Sequence, residues 1–245
     1  NFDKILTYWQ PLLRKYSDND KIVYCPPIHR FMFRFREELD YFKENININK
    51  NIIMILRDKH PETSKDLKHL NLKENGNKYT INGYEMESLY NLREQYALEL
   101  DNIHVYGNWK HKQLESENKL VKIDEVLEKP NIDYIENYTF NLIIESTNGE
   151  GCVSEKIFDA FVGDAIPIYV NRGNITKENI LNIPTDCYID AGGMSPAELN
   201  QYVKDISLQQ IIDYKNNIKE KRNEILKNVS PLHYANKIEQ ILSNL

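Results

Sequence analysis

Apolar residues along this chain gather into short runs, separated by stretches with helical spacing. Residues 52–56, 103–106, 140–144 and 165–170 read as buried strands, and 187–190 as a further one. Residues 86–100 read as a helix with Leu89, Leu92, Tyr96 and Leu100 on one side. Residues 153–162 read as another, with Val153, Ile157, Ala160 and Phe161 on one face. Two more helices follow at 195–206 and 208–227, the second strongly charged and read as a solvated face. Ser195, Pro196 and Glu198 predict a capping box with proline at the first helical position. Nearer the start, 2–9 and 21–25 read as short strands around a polar loop, and 31–42 as a helix. Residues 59–83 read as polar and irregular, with a turn near Gly76. An Asn-rich link at 44–51 marks a junction and divides the chain into 1–47 and 48–245. From Ile52 onward strands alternate with helices, which predicts an α/β unit with a mostly parallel sheet covered on both faces.

The chemistry concentrates in 138–170, read as strand, glycine-containing polar loop, helix and strand. A loop that leaves a strand and enters a helix offers free backbone N–H groups and the helix dipole to an anion or nucleotide. Here the predicted helix opens with Ser154, Glu155 and Lys156, so a carboxylate and an ammonium sit side by side. Lys156 and Arg93 suit a diphosphate, and an arginine can grip one with two N–H groups at once. Glu145, at the strand end, suits holding the loop or a ribose hydroxyl. Plainer readings stand beside these. Arg93 also fits a surface helix residue paired with a nearby Glu, and Glu155 a first-turn carboxylate stabilising the helix dipole.

Composition narrows the classes further. A net charge of −6 argues against a general nucleic-acid binder, which needs a basic face. Cys25, Cys152 and Cys187 are odd in number and show neither zinc spacing nor a disulfide framework, which points to a reducing compartment, the cytosol or the cytoplasmic side of a membrane. No apolar run approaches the roughly 20 residues of a spanning helix. The chain begins at Asn1, so it reads as an excised piece, with room for a Golgi-type anchor outside it. Asp18-Asn19-Asp20 precedes a predicted strand and reads as a turn rather than a metal site. Neither a dinucleotide-binding glycine fingerprint nor a P-loop is present. The sequons at Asn137, Asn174 and Asn228 read as chance in an Asn-rich chain.

The stretch 138–170 resembles the donor-binding motif of the α1,3-fucosyltransferases, glycosyltransferase family 10. Tyr138, Phe140, Leu142, Glu145, Val153, Ser154, Glu155, Lys156, Ile166, Pro167 and Ile168 carry the likeness. It extends unevenly from Phe2 to about Leu226. It implies a GT-B-like fold, with a Rossmann-like donor domain at 48–245 and part of a Rossmann-like acceptor domain at 1–47. It also implies inverting, metal-independent transfer of L-fucose from GDP-fucose to a hydroxyl of a glycan acceptor, with no further cofactor. By the same resemblance the catalytic set is Arg93, Glu155 and Lys156, with Arg93 and Lys156 on the phosphates and Glu155 on the sugar. The donor site would be completed by Glu145, Ser146, Asn148, Gly151, Cys152, Val153 and Ser154. The family's general base falls upstream of this chain, which would then be a domain of a longer glycosyltransferase. Ser146 and Cys152 depart from the family's Asn and Tyr. That departure leaves open a different nucleotide sugar, or a non-catalytic carbohydrate- or partner-binding module.

Overall fold

A computed structural model describes residues 5–7, 22–24, 48–56, 78–81, 84–107, 111–122, 131–149, 153–175 and 183–227, with 229, 235–236, 238–240 and 243 beyond them. Strands β1 (Ile5–Thr7) and β2 (Ile22–Tyr24) pair in parallel. The helix expected at 31–42, Asp18-Asn19-Asp20 and the boundary at residue 47 lie outside the described residues. From β3 (Ile52–Ile55) the chain passes through β4 (Lys78–Ile81), β5 (Tyr84–Ser88), α1 (Tyr90–Glu99), β6 (Ile103–Gly107), α2 (Lys112–Ser116) and β7 (Leu120–Lys122). Helix α3 (Asn131–Ile135) leads to β8 (Phe140–Ile143), β9 (Thr147–Asn148), α4 (Lys156–Val162) and β10 (Ile166–Tyr169). A 3-10 turn at Thr185–Cys187 precedes β11 (Ile189–Asp190), α5 (Pro196–Asp205) and α6 (Leu208–Lys227). Among the described residues no helix is long and apolar enough to cross a membrane.

Six strands form one parallel sheet in the order β11-β10-β8-β3-β6-β7. The chain enters at β3, winds out through β6 and β7, returns to β8 on the other side of β3, and winds out again. The direction of winding reverses between β3 and β8. In doubly wound sheets ligands bind beyond the carboxyl ends of the strands at that reversal. Strands covered on both faces need near-continuous apolar sequence, and every position of β8 (FNLI) and β10 (IPIY) is buried. Pro167 is tolerated inside β10 for a local reason. The Ile166 and Val170 amides donate to Thr139 and Ile143 on the β8 side, so position 167 faces β11, which pairs only with Ile168 and Tyr169. Gly107 closes β6 at φ 149°, where a Cβ would lie 1.9 Å from the Leu56 carbonyl oxygen.

The capping box forms as expected. The Ser195 amide donates to Glu198 at 2.7 Å and the Glu198 amide donates to Ser195 Oγ at 3.3 Å. Three expectations need correction. Residues 86–88 belong to a strand, Tyr84–Ser88, rather than to the first turn of a helix, so α1 starts only at Tyr90. The stretch 59–83 is not irregular throughout, because β4 pairs antiparallel with β5. Asn82-Gly83, a two-residue hairpin signal, lies between them in the sequence. The helix expected from Val153 begins at Lys156, because the Ser154 amide is drawn back onto the Glu145 carboxylate.

Helix α6 is not simply a solvated face. Ile211, Ile218, Ile225 and Leu226 bury a stripe, and two of its charges go inward with them. Lys215 Nζ donates to the Asp164 carbonyl at 2.9 Å and lies 3.3 Å from its carboxylate, while Arg222 Nη1 lies 3.7 Å from the other carboxylate oxygen. Asp164 sits at φ 55° in the turn between α4 and β10, so this ion group bolts α6 to the strand–helix unit that carries the chemistry. Burial pulls the Lys215 ammonium below its ordinary pKa, against the raising effect of Asp164. Removing the shared carboxylate leaves buried positive charge uncompensated. Asp164→Ala is therefore expected to lower unfolding free energy by about 3 kcal/mol in a urea titration, and a loss under about 1 kcal/mol would show the group to be peripheral.

Candidate functional site

The site is built at the carboxyl end of β8. Glu145 follows the strand and is only 4% exposed. A buried carboxylate must be hydrogen-bonded, and its Oε1 accepts from the Ser154 amide at 2.8 Å and from the Tyr169 hydroxyl at 3.2 Å. These two bonds pin both ends of the 145–154 loop together and tie them to the last residue of β10. Glu145 Oε2 lies 3.5 Å from Lys156 Nζ, and Glu155 Oε1 lies 4.0 Å from it. Charge-assisted hydrogen bonds run at about 2.7–2.9 Å. The two carboxylates thus offset the ammonium's charge without taking its N–H groups, one of which goes to Ser154 Oγ at 2.8 Å.

Arg93 is brought to the same strand end from α1. Its Nε donates to the Ile144 carbonyl at 3.0 Å, and its guanidinium carbon lies 4.8 Å from the centre of the Tyr90 ring. Burial pulls its pKa down, while Tyr90, Glu145 and Glu155 push it back up. The surface reading of Arg93 is corrected on this point. It is 4% exposed, because α1 turns this side toward the end of β8.

The loop itself is held from the side by β5. The Leu89 amide donates to the Ser146 carbonyl at 3.0 Å and Thr147 Oγ1 donates to the Glu87 carbonyl at 2.9 Å. The Glu87 amide donates to Asn148 Oδ1. Asn148, expected as a donor contact, therefore has its side-chain oxygen engaged in fixing β9 against β5. Ser146 is exposed, Val153 is buried and Ser154 and Glu155 are half-buried, while Gly151 and Cys152 lie outside the described residues. Among the described residues no three His, Cys, Asp or Glu side chains cluster as metal ligands would.

Three participants were not legible as site residues. Tyr90 precedes Arg93 by three positions on a helix, a spacing that brings side chains together and could have flagged it. Tyr169 gives no signal, since it reads as one more buried strand residue. Asn174 reads as a sequon, yet it is 1% exposed and bonded into the loop.

Residues 75–229 match the sequence model described as glycosyltransferase family 10 (fucosyltransferase) C-term. Over 46 residues the chain is 41% identical to the alpha-(1,3)-fucosyltransferase FucT of Helicobacter pylori, an overlap of 19% of this chain and 10% of that protein. Solved structures similar to it include an alpha1,3-fucosyltransferase with GDP-fucose, at 17% identity and a TM-score of 0.38, covering 67% of this chain and 38% of that one. A DNA-modifying beta-glucosyltransferase aligns at 11% identity and a TM-score of 0.44, covering 88% and 60% respectively. The chain thus spans well under half the length of the fucosyltransferases it matches. The family match covers more than half of the chain and takes in Arg93, Glu145 and Lys156, and this chain belongs to glycosyltransferase family 10, the fucosyltransferases.

Proposed function

We propose that this chain is the donor-binding part of an enzyme that transfers L-fucose from GDP-fucose to a hydroxyl of a glycan acceptor, with inversion. The observation that carries the reading is the convergence of Lys156, Glu145, Glu155 and Arg93 at the carboxyl end of β8 in a chain of this family. As the bond between the sugar and the diphosphate breaks, its electron pair passes to the phosphate oxygen and positive charge grows on the anomeric carbon. Lys156 takes the phosphate oxygens with the N–H groups that Ser154 leaves to it. Arg93 adds positive charge behind it, and Glu155 faces the sugar. The acceptor oxygen attacks from the opposite face, which inverts the centre, and its proton passes to a base carried elsewhere in the whole protein. Lys156 and Arg93 supply the positive charge in this reading, and no metal is invoked. The acceptor glycan, and a place within a longer multi-domain polypeptide, belong to the same proposal. Ser146, exposed where the resemblance expects asparagine, is what favours a different nucleotide sugar as the second reading.

Ligands that bind only the folded state raise its melting point. In a thermal-shift panel GDP-fucose is expected to give the largest shift among GDP- and UDP-sugars. A larger shift from another sugar nucleotide would move the assignment to that donor, and no shift at millimolar concentration would favour the non-catalytic module. Lys156→Ala is expected to weaken GDP-fucose binding or turnover by at least about tenfold, the loss of one charge-assisted contact. Arg93→Ala should do the same with a lower melting point, since Arg93 is buried, and wild-type donor binding in both variants sinks the proposal. Glu145→Ala removes the shared acceptor of Ser154 and Tyr169, and urea unfolding should report a loss of about 3 kcal/mol.

A further inference from the structure

The loop after β10 is shaped by its own side chains. Asn171 Oδ1 accepts from the amides of Gly173 and Ile175, both at 3.1 Å, and Asn171 Nδ2 donates to the Ile175 carbonyl at 3.0 Å. Gly173 takes φ 88°, which closes the turn. The turn drives the next residue inward. Asn174 is 1% exposed, and its Nδ2 donates to the carbonyls of Thr147 at 3.0 Å and Gly149 at 3.3 Å. An amide nitrogen has two N–H groups, one for each carbonyl. Those carbonyls flank Asn148, whose side chain faces β5 on the other side. The 145–154 loop is therefore closed at its base by Glu145 and Ser154, held on one flank by β5, and held on the other by Asn174.

We propose that Asn174 is a positioning residue for donor binding. It sets the backbone of 147–149 before the nucleotide sugar arrives, so that ordering the loop is not charged against donor affinity. The inference rests on the reading of this loop as the donor loop, and it removes Asn174 from the candidate glycosylation acceptors, because its amide nitrogen is buried and engaged. Nothing in the sequon pattern distinguishes it from Asn137, whose side chain is exposed.

Two variants test this. Asn174→Ala removes both bonds, and Asn174→Asp keeps the shape while replacing the donating nitrogen with oxygen. Both are expected to speed amide hydrogen exchange at 147–149 and to raise the GDP-fucose dissociation constant by about tenfold, which corresponds to about 1.4 kcal/mol. Exchange elsewhere in the sheet should stay as in the wild type. Unchanged exchange at 147–149 in Asn174→Ala overturns the proposal. So does faster exchange with GDP-fucose affinity within twofold of wild type, and so does wild-type behaviour of Asn174→Asp, which would reduce the contact to packing. If the wild-type chain itself binds no GDP-fucose, the fucosyl-transfer reading fails and the donor-positioning role with it, while the exchange measurement still decides whether Asn174 holds the loop.

Discussion

At the end of β8 one carboxylate oxygen accepts two hydrogen bonds, from the Ser154 amide and the Tyr169 hydroxyl. Most of what distinguishes this site follows from that contact. Glu145 is too buried for its oxygens to go without hydrogen-bond partners, and the partners available to it lie on the returning loop and on the neighbouring strand. Satisfying it draws 154 back onto 145, delays the start of α4 to Lys156, and sets the lysine beside the same carboxylate. The ammonium is held by Ser154 at hydrogen-bond distance and by two carboxylates beyond it.

Around this anchor the fold works in layers. The β3–β8 reversal puts the strand end where a doubly wound sheet receives ligands. Helix α1 delivers Arg93 to the Ile144 carbonyl, one residue before the anchor. Strand β5 and the turn after β10 grip the loop from its two sides. Behind, Lys215 and Arg222 of α6 converge on Asp164 and fix the α4–β10 corner from below. Each support comes from a different part of the chain, so the position of Lys156 depends on the packing of the whole unit rather than on its own helix of seven residues.

Much of this architecture was legible because its physical signals are local. Strands buried on both faces must be apolar along their length, and the runs at 52–56, 140–144 and 165–170 show it directly. The capping box at Ser195 is a pattern of three residues with one geometry. The β4–β5 pairing is equally local, since Lys78–Ile81 and Tyr84–Glu87 alternate polar and apolar residues on either side of Asn82-Gly83, but Met86 and Leu89 also fit a helical spacing, which extends the expected helix back over β5. The inward turn of Lys215 and Arg222 was missed for another reason. A charge on an amphipathic helix looks solvated until its partner, here Asp164, is seen to be buried with it.

The sequence by itself determined the parallel α/β character, the strand–loop–helix at 138–170 and the membership of residues in a family motif. All three are written in residue types at short spacing. Only the tertiary structure decided which groups meet. Arg93 lies on the buried side of α1, Asn148 has its side-chain oxygen turned to β5, and Asn174 is buried with its amide nitrogen on the carbonyls of Thr147 and Gly149. The physical reason is that these contacts join segments distant along the chain, and a hydrogen bond between them leaves no periodicity in either one.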